Sequence, residues 1–304
     1  MIPRILITGG SGLLALNWAL AVRDRFSVTL GLHARNVSLA GAQVRKIDLE
    51  SVDGLVREFE KAQPQVVIHT AGLTSVEKCE AEPGLAQHIN VDLALNVAEA
   101  CAKLGLPLVH LSTDHLFSGE TSFVTETYPV APINVYGRTK GEAETRVLEA
   151  HPLALVIRTN FYGWGTSYRH SFSDVVVQAL RAGKELTLFQ DVLYTPILVE
   201  TATQAVHGLI DLNASDIFHV TGDERISKYE FGLKLAQEFK LDANLIRPGH
   251  IMNQLSLVQR PHDMSLSNQK TCKFLGRKLG SVGEHIARLH QQELNGLAQE
   301  IRKL

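Results

Sequence analysis

Short runs of β-branched and apolar residues alternate with helix-sized segments through the first half of this chain, and few folds accommodate that rhythm. Arg4 to Thr8, Val28 to Leu32, Val44 to Ile47, Gln65 to Thr70, Pro107 to Ser112 and Ala154 to Arg158 read as strands. Most are apolar throughout instead of on alternate residues, so both faces of the sheet have to be covered. Helices between consecutive strands supply that cover and impose right-handed crossovers. The pattern predicts an α/β fold built on a doubly wound parallel sheet.

After Thr159 the rhythm becomes irregular. Phe161-Tyr-Gly-Trp-Gly reads as loop, Ser173 to Gly183 as helix and Glu185 to Phe189 as a short strand. Thr201 to Ile210 (helix) and Ile217 to Val220 (strand) suit a return to the main sheet, and Ser227-Lys-Tyr-Glu230 is a capping box that opens another helix. The expected division is a nucleotide-binding unit over residues 1–160, rejoined by about 192–222, and a smaller, discontinuous C-terminal lobe drawn mainly from 161–304. No internal repeat or low-complexity linker separates the two, so they should share a cleft.

With 304 residues, 45% hydrophobic and 20% charged, the chain can bury a large core. A formal charge of −2 and the lack of any dense Lys/Arg run leave no footprint for nucleic acid. The apolar stretches are strand-sized, so no membrane span is expected, and the opening residues lack the zones of a secretory signal, which makes cytoplasm the expectation. Cys79, Cys101 and Cys272 have no metal-like spacing and read as reduced packing residues. The 13 histidines form no His-Glu-x-x-His pattern, and no metal site is expected.

The first strand runs directly into Gly9-x-x-Gly12-x-x-Ala15 and the apolar segment Leu16 to Val22. Glycines let the backbone turn tightly and approach a diphosphate, whose charge rests on free amides at the helix N-terminus. Gly9, Ser11, Gly12, Leu13 and Leu14 are therefore candidate cofactor contacts in a sheet of Rossmann type. The second strand of such a fold ends near the adenosine ribose, where an acid would accept from the 2′-hydroxyl. This chain has none there and reads Leu30-Gly-Leu-His33-Ala-Arg35. A guanidinium at that place suits a 2′-phosphate, so NADP(H) is expected over NAD(H), with His33 and Arg35 as contacts; a solvated loop charge is the plainer reading of Arg35. Asp48, followed by Leu49, ends the third strand and is placed to meet the adenine, although it equally suits a helix cap. Ala71 and Gly72 follow the fourth strand and leave room for the cofactor's backbone.

Tyr136 and Lys140 lie one turn apart on one face of a helix predicted over Asn134 to Ala150. An ammonium beside the phenol would lower its pKa and bond a nicotinamide ribose, so that Tyr136 protonates a carbonyl oxygen as hydride reaches the carbon. Thr113, in Ser112-Thr113-Asp114 at the end of the fifth strand, is placed to bond that oxygen. A tyrosine four residues before a lysine is poor evidence alone; the glycine turn and the strand end supply the specificity. Trp164, Tyr168 and Tyr194 fit either stacking in the cleft or packing between the lobes.

Together these residues make the chain resemble the extended short-chain dehydrogenase/reductase family and, within it, the reductases of dTDP-4-dehydrorhamnose type. His69-Thr-Ala-Gly72 with Val76-Glu-Lys-Cys-Glu80, then Asn90, Ser112 to Gly119, Pro132 to Lys140 and Arg260 to Asn268 carry the likeness over nearly the whole length. The resemblance implies Thr113, Tyr136 and Lys140 as a catalytic trio and Asn90 as a cofactor-side residue shaping the active-site helix. It also implies Thr74, Asp114, His115, Asn160 and Arg260 on the substrate side, the last two near a substrate diphosphate. A planar donor beside a rigid proline suits Arg260 to that task, the alternative being a surface ion pair. Related dehydratases carry Asp-Glu after the strand-end threonine, whereas Asp114 is followed by His115. Rhamnose-type reductases usually have tyrosine in place of His115, serine in place of Asn160, and Asp-Gln-x-Gly-x-Pro-Thr where this chain reads Asp191-Val-Leu-Tyr-Thr-Pro196-Ile.

The resulting expectation is NADPH-dependent reduction of a 4-keto group on a nucleotide-diphosphate deoxysugar, by a protein with no nucleic-acid or membrane partner and compatible with a homodimer. Two alternatives stay open: an epimerase that retains its NAD(P), and a non-catalytic NADP-binding subunit such as the regulatory subunit of methionine adenosyltransferase, which resembles the same reductases.

Overall fold

The apolar runs of the first half do pair into one parallel sheet. In the computed structural model, which describes residues 2–254 and 256–304, the strands are β1 (Arg4–Thr8), β2 (Ser27–Leu32), β3 (Ala42–Lys46), β4 (Val66–His69), β5 (Leu108–Leu111) and β6 (Leu155–Arg158). Their spatial order is β6-β5-β4-β1-β2-β3. The order reverses between β1 and β4, which opens a crevice at the carboxyl ends of those strands. β3 begins two residues before the expected position and is largely solvent-facing, as an edge strand with one neighbour tolerates.

Between the strands run α1 (Leu13–Val22), α2 (Val52–Ala62), the short α3 (Val76–Ala81) and α4 (Pro83–Gln87), a π-helical turn at His88–Asp92, α5 (Leu93–Leu104) and α6 (Val135–Ala150). Strand side chains alternate between two layers. Leu6, Val67 and Leu108 pack under α2, α5 and α6, while Ile5, Ile7, Ile68 and Val109 face the layer that contains α1. A buried ion pair ties α6 to β6: Arg158 donates from Nε and Nη2 to the Glu144 carboxylate at 2.9 and 2.7 Å.

The second half leaves the sheet and returns. β7 (Phe161–Tyr162) forms where loop was expected, and α7 (Phe172–Arg181), β8 (Leu186–Phe189), β9 (Leu193–Tyr194), β10 (Ile197–Leu198) and α8 (Val199–Asp211) follow. β11 (Asp216–His219) then pairs in parallel with β6 as the seventh strand of the main sheet. β12 (Ile226–Ser227) pairs with β9, and Ser227 opens α9 (Lys228–Glu238) through the capping box expected from the sequence. β13 (Ile246–Gly249) pairs with β8, and α10 (Gln269–Leu275), α11 (Val282–Leu294) and α12 (Leu297–Arg302) complete the chain. Trp164 is fully buried, lies outside the cleft lining and donates its indole N–H to the Leu289 carbonyl at 3.2 Å, which makes it a packing residue. All three cysteines are free. Among the described residues no helix is long and apolar enough to cross a membrane.

Candidate active site

A cleft of about 520 Å³ opens at the carboxyl ends of β1, β4 and β5. One end is the turn from Gly9 to Leu14. Gly9 has φ +70°, and a Cβ there would stand 2.7 Å from the Ala71 backbone nitrogen, so only glycine lets the turn lie against the end of β4. Gly12 starts α1 without a side-chain cap, and the first turn carries no acid. The leading amides of α1 are thus left for an anionic ligand, which fits a dinucleotide diphosphate.

Ala71, Gly72 and Thr74 line the wall opposite, after β4. Asn90, also in the lining, sits in the π-helical turn, a local irregularity common at functional sites. Its side chain accepts from the Leu73 amide at 2.7 Å and donates to the Leu73 carbonyl at 3.1 Å and Thr139 Oγ1 at 3.0 Å, pinning the loop after β4 to α6.

α6 carries the other end. Asn134 caps it, accepting from the Gly137 amide at 2.8 Å and donating to the Gln259 carbonyl at 3.0 Å. Gly137 is required by close approach, since a Cβ there would lie 2.3 Å from the His115 carbonyl oxygen. That approach sets Tyr136 against the loop after β5, with the His115 and Tyr136 rings edge to face at 5.5 Å. Thr113, Asp114, His115, Tyr136, Lys140 and Asn160 all line the cleft. Asp114 accepts from Thr113 Oγ1 at 3.3 Å and from the Asn160 amide.

Burial pushes the Tyr136 phenol up to about 12, a contact with Thr113 opposing it. The expectation of a phenol made acidic by Lys140 is therefore corrected. The Lys140 ammonium is turned to the strand end, donating to the Leu111 carbonyl at 2.7 Å and lying 3.4 Å from His110 Nε2. Burial lowers it to about 8. Burial likewise lowers His115.

Five expected positions fall outside the lining. His33 and Arg35 are exposed beyond β2. The Arg35 guanidinium lies 3.8 Å from the centre of the Tyr168 ring, and Tyr168 donates its hydroxyl to the Ser11 carbonyl at 2.7 Å, so the pair does abut the glycine turn. Asp48 accepts from the Glu50 amide at 3.1 Å; Ser51, not Asp48, caps α2. Leu49 is buried in the layer beneath α2 and α5. Arg260 is ion-paired with Glu77, as in the plainer reading, although its charge still acts on His115.

Two cations were not expected, Arg169 in the cleft lining and Lys228 behind the lining residue Phe172. Arg169 donates to Thr74 Oγ1 across the mouth of the cleft. Lys228 Nζ stands 3.4 Å from the Tyr194 ring centre and 4.7 Å from that of Phe172, and burial lowers it to about 8 against the opposing charge of Asp114. Lys228 occupied the capping-box segment in the sequence, and Arg169 an unpatterned loop, so neither carried a signal. Among the described residues no group of three His, Cys, Asp or Glu could hold a metal ion.

The profile of the RmlD substrate binding domain matches residues 3–294. This chain belongs to the RmlD family, that of the dTDP-4-dehydrorhamnose reductases. A probable low-salt glycan biosynthesis reductase of Haloferax volcanii is 30% identical over 93% of this chain and 96% of that protein. The methionine adenosyltransferase 2 subunit beta of Mus musculus is also 30% identical, over 81% of this chain and 75% of that one. The crystal structure of dTDP-4-dehydrorhamnose reductase from Bacillus anthracis in complex with NADP shares the fold with a TM-score of 0.84, over 96% of this chain and 100% of that one at 24% identity.

Proposed function

We propose that this RmlD-family chain reduces a 4-keto group on a nucleotide-diphosphate deoxysugar with NADPH. The observation that carries the reading is a single cleft with an uncapped glycine turn at one end and Thr113, Tyr136 and Lys140 at the other. NADPH, when bound, supplies the hydride. Gly9, Ser11, Gly12, Leu13 and Leu14 would hold its diphosphate, Ala71, Gly72 and Asn90 would border its path, Asp48 and the backbone of Leu49 would flank the adenosine, and His33 and Arg35 would meet the 2′-phosphate.

The chain's own residues supply and place the proton. Tyr136 stays neutral because burial holds it near 12, and the neutral phenol is the form that can donate to a carbonyl oxygen. Thr113, turning its hydroxyl from Asp114, donates a hydrogen bond to the same oxygen; the remaining Lys140 N–H would bond the nicotinamide ribose, and solvent reprotonates the phenolate left behind. Thr74, Asp114, His115 and Asn160 surround the sugar, and Arg260 exchanges Glu77 for the substrate diphosphate. In this reading residues 1–160 with about 192–222 serve the cofactor, and the rest of 161–304 serves the substrate.

The test is a thermal-shift screen of nucleoside-diphosphate sugars with NADPH present, because a ligand raises the melting temperature only if it binds the native state. The reading predicts that 4-keto nucleotide sugars raise it further than NADPH alone, and that NADPH protects more than NADH in wild type but not in Arg35→Ala. A shift with NADPH and with no nucleotide sugar would instead favour a cofactor-binding subunit, the reading that the methionine adenosyltransferase relative supports.

A further inference from the structure

Strand register places Thr8 of β1 beside His69 of β4, and His69 beside His110 of β5. By alternation all three share the face of Leu6, Val67 and Leu108, the apolar layer under α5 and α6. Packing alone gives no reason for imidazoles there, since His69 is 1% exposed and His110 0%. Thr8 Oγ1 lies 2.8 Å from His69 Nδ1, the two rings stack with centroids 5.4 Å apart, and His110 Nε2 lies 3.4 Å from Lys140 Nζ. An ammonium can only donate, so His110 Nε2 accepts and its proton sits on Nδ1. Burial and the Lys140 charge keep both imidazoles neutral. The remaining charges at Lys140 come from Glu144 on its own helix, itself paired with Arg158 of β6.

We propose that His110 is a positioning residue for Lys140. Its Nε2 and the Leu111 carbonyl take two of the three ammonium N–H groups and aim the third into the cleft, while His69 and Thr8 brace that acceptor against the strand that enters the glycine turn. The proposal rests on Lys140 acting at the reacting end of the cleft, as argued above.

The test compares two amides that differ only in reach. His110→Gln puts an oxygen where Nε2 stands and keeps the acceptor, whereas His110→Asn puts it where Nδ1 stands, away from Lys140. The Lys140 13Cε resonance, assigned by its loss in Lys140→Arg, is titrated in lysine-labelled protein. Wild type and His110→Gln should share a midpoint, and His110→Asn should fall by about one pH unit or more, the pKa equivalent of a lost hydrogen bond to a charged group. The alkaline limb of kcat should move with it while KM holds. Equal midpoints in the two amide variants, or an unmoved midpoint in His110→Asn, would overturn the proposal in favour of simple packing. If His110→Asn does not fold, His110→Leu, also without an acceptor, carries the same expectation. The titration needs no substrate, so absent turnover in wild type would sink the proposed reaction and not this assignment.

Discussion

A phenol or an ammonium in a cleft wall exchanges water for protein, and in each the charged form suffers more. Tyr136 and Lys140 are displaced in opposite directions for that one reason, to about 12 and about 8. Up to about pH 8 a neutral phenol and a cationic amine coexist. Turnover should therefore be level through neutrality and decline above about pH 8 as Lys140 loses its proton; a kcat profile that stays level through that limb contradicts the assignment. The trio Thr113, Tyr136 and Lys140 was legible because a strand end and a one-turn spacing are local facts. The acidity of the phenol was not, since it is set by how deeply the ring is buried, and Lys140 is turned from it to Leu111 and His110 on another element. Arg260 illustrates the same limit: its partner Glu77 is 183 residues away.

At the scale of the element, α6 holds the reacting residues by its first turn. Asn134→Ala removes the cap bond to Gly137 and the link to Gln259, and should lower stability by about 1 kcal/mol in urea unfolding. Gly137→Ala forces a side chain against the His115 carbonyl and pushes the helix from the loop that carries Thr113. It should cut turnover at least about tenfold through misplacement of the reacting groups and weaken NADPH binding far less, because the diphosphate turn is built on β1 and α1. Equal losses in both measurements would mean general unfolding instead. The main strands were readable from their apolar runs. β7, β9, β10 and β12 were not, being two residues each and too short to show a period. The π-helical turn that places Asn90 likewise has no sequence signature here.

For the whole molecule, buried neutral histidines couple stability to pH. His69 and His219 are pulled to about 3 and His207 to about 4, chiefly by burial, against an unfolded value of about 6.5. Above about pH 6.5 both states hold these rings neutral and their contribution is fully present. As pH falls below it the unfolded chain takes up protons first, so stability drops toward the folded values. Calorimetry should show the melting temperature falling steadily from about pH 6.5 to about pH 4; a constant value over that range would contradict it. The return of β11 to the sheet was legible as a strand after a helix, whereas the way the loop before α7 brings Arg169 and Tyr168 over the cleft depends on long-range packing.

The central claim is that Tyr136 donates the proton in reduction of a nucleotide-bound ketone. Its most direct test is NADPH oxidation with a nucleoside-diphosphate 4-keto deoxysugar by wild type and Tyr136→Phe, with NADPH affinity measured in both. The account predicts turnover by wild type and a loss of about 100-fold or more in the variant at unchanged NADPH affinity. Equal rates in the two proteins, or a wild type that binds both ligands and oxidises nothing, would contradict it.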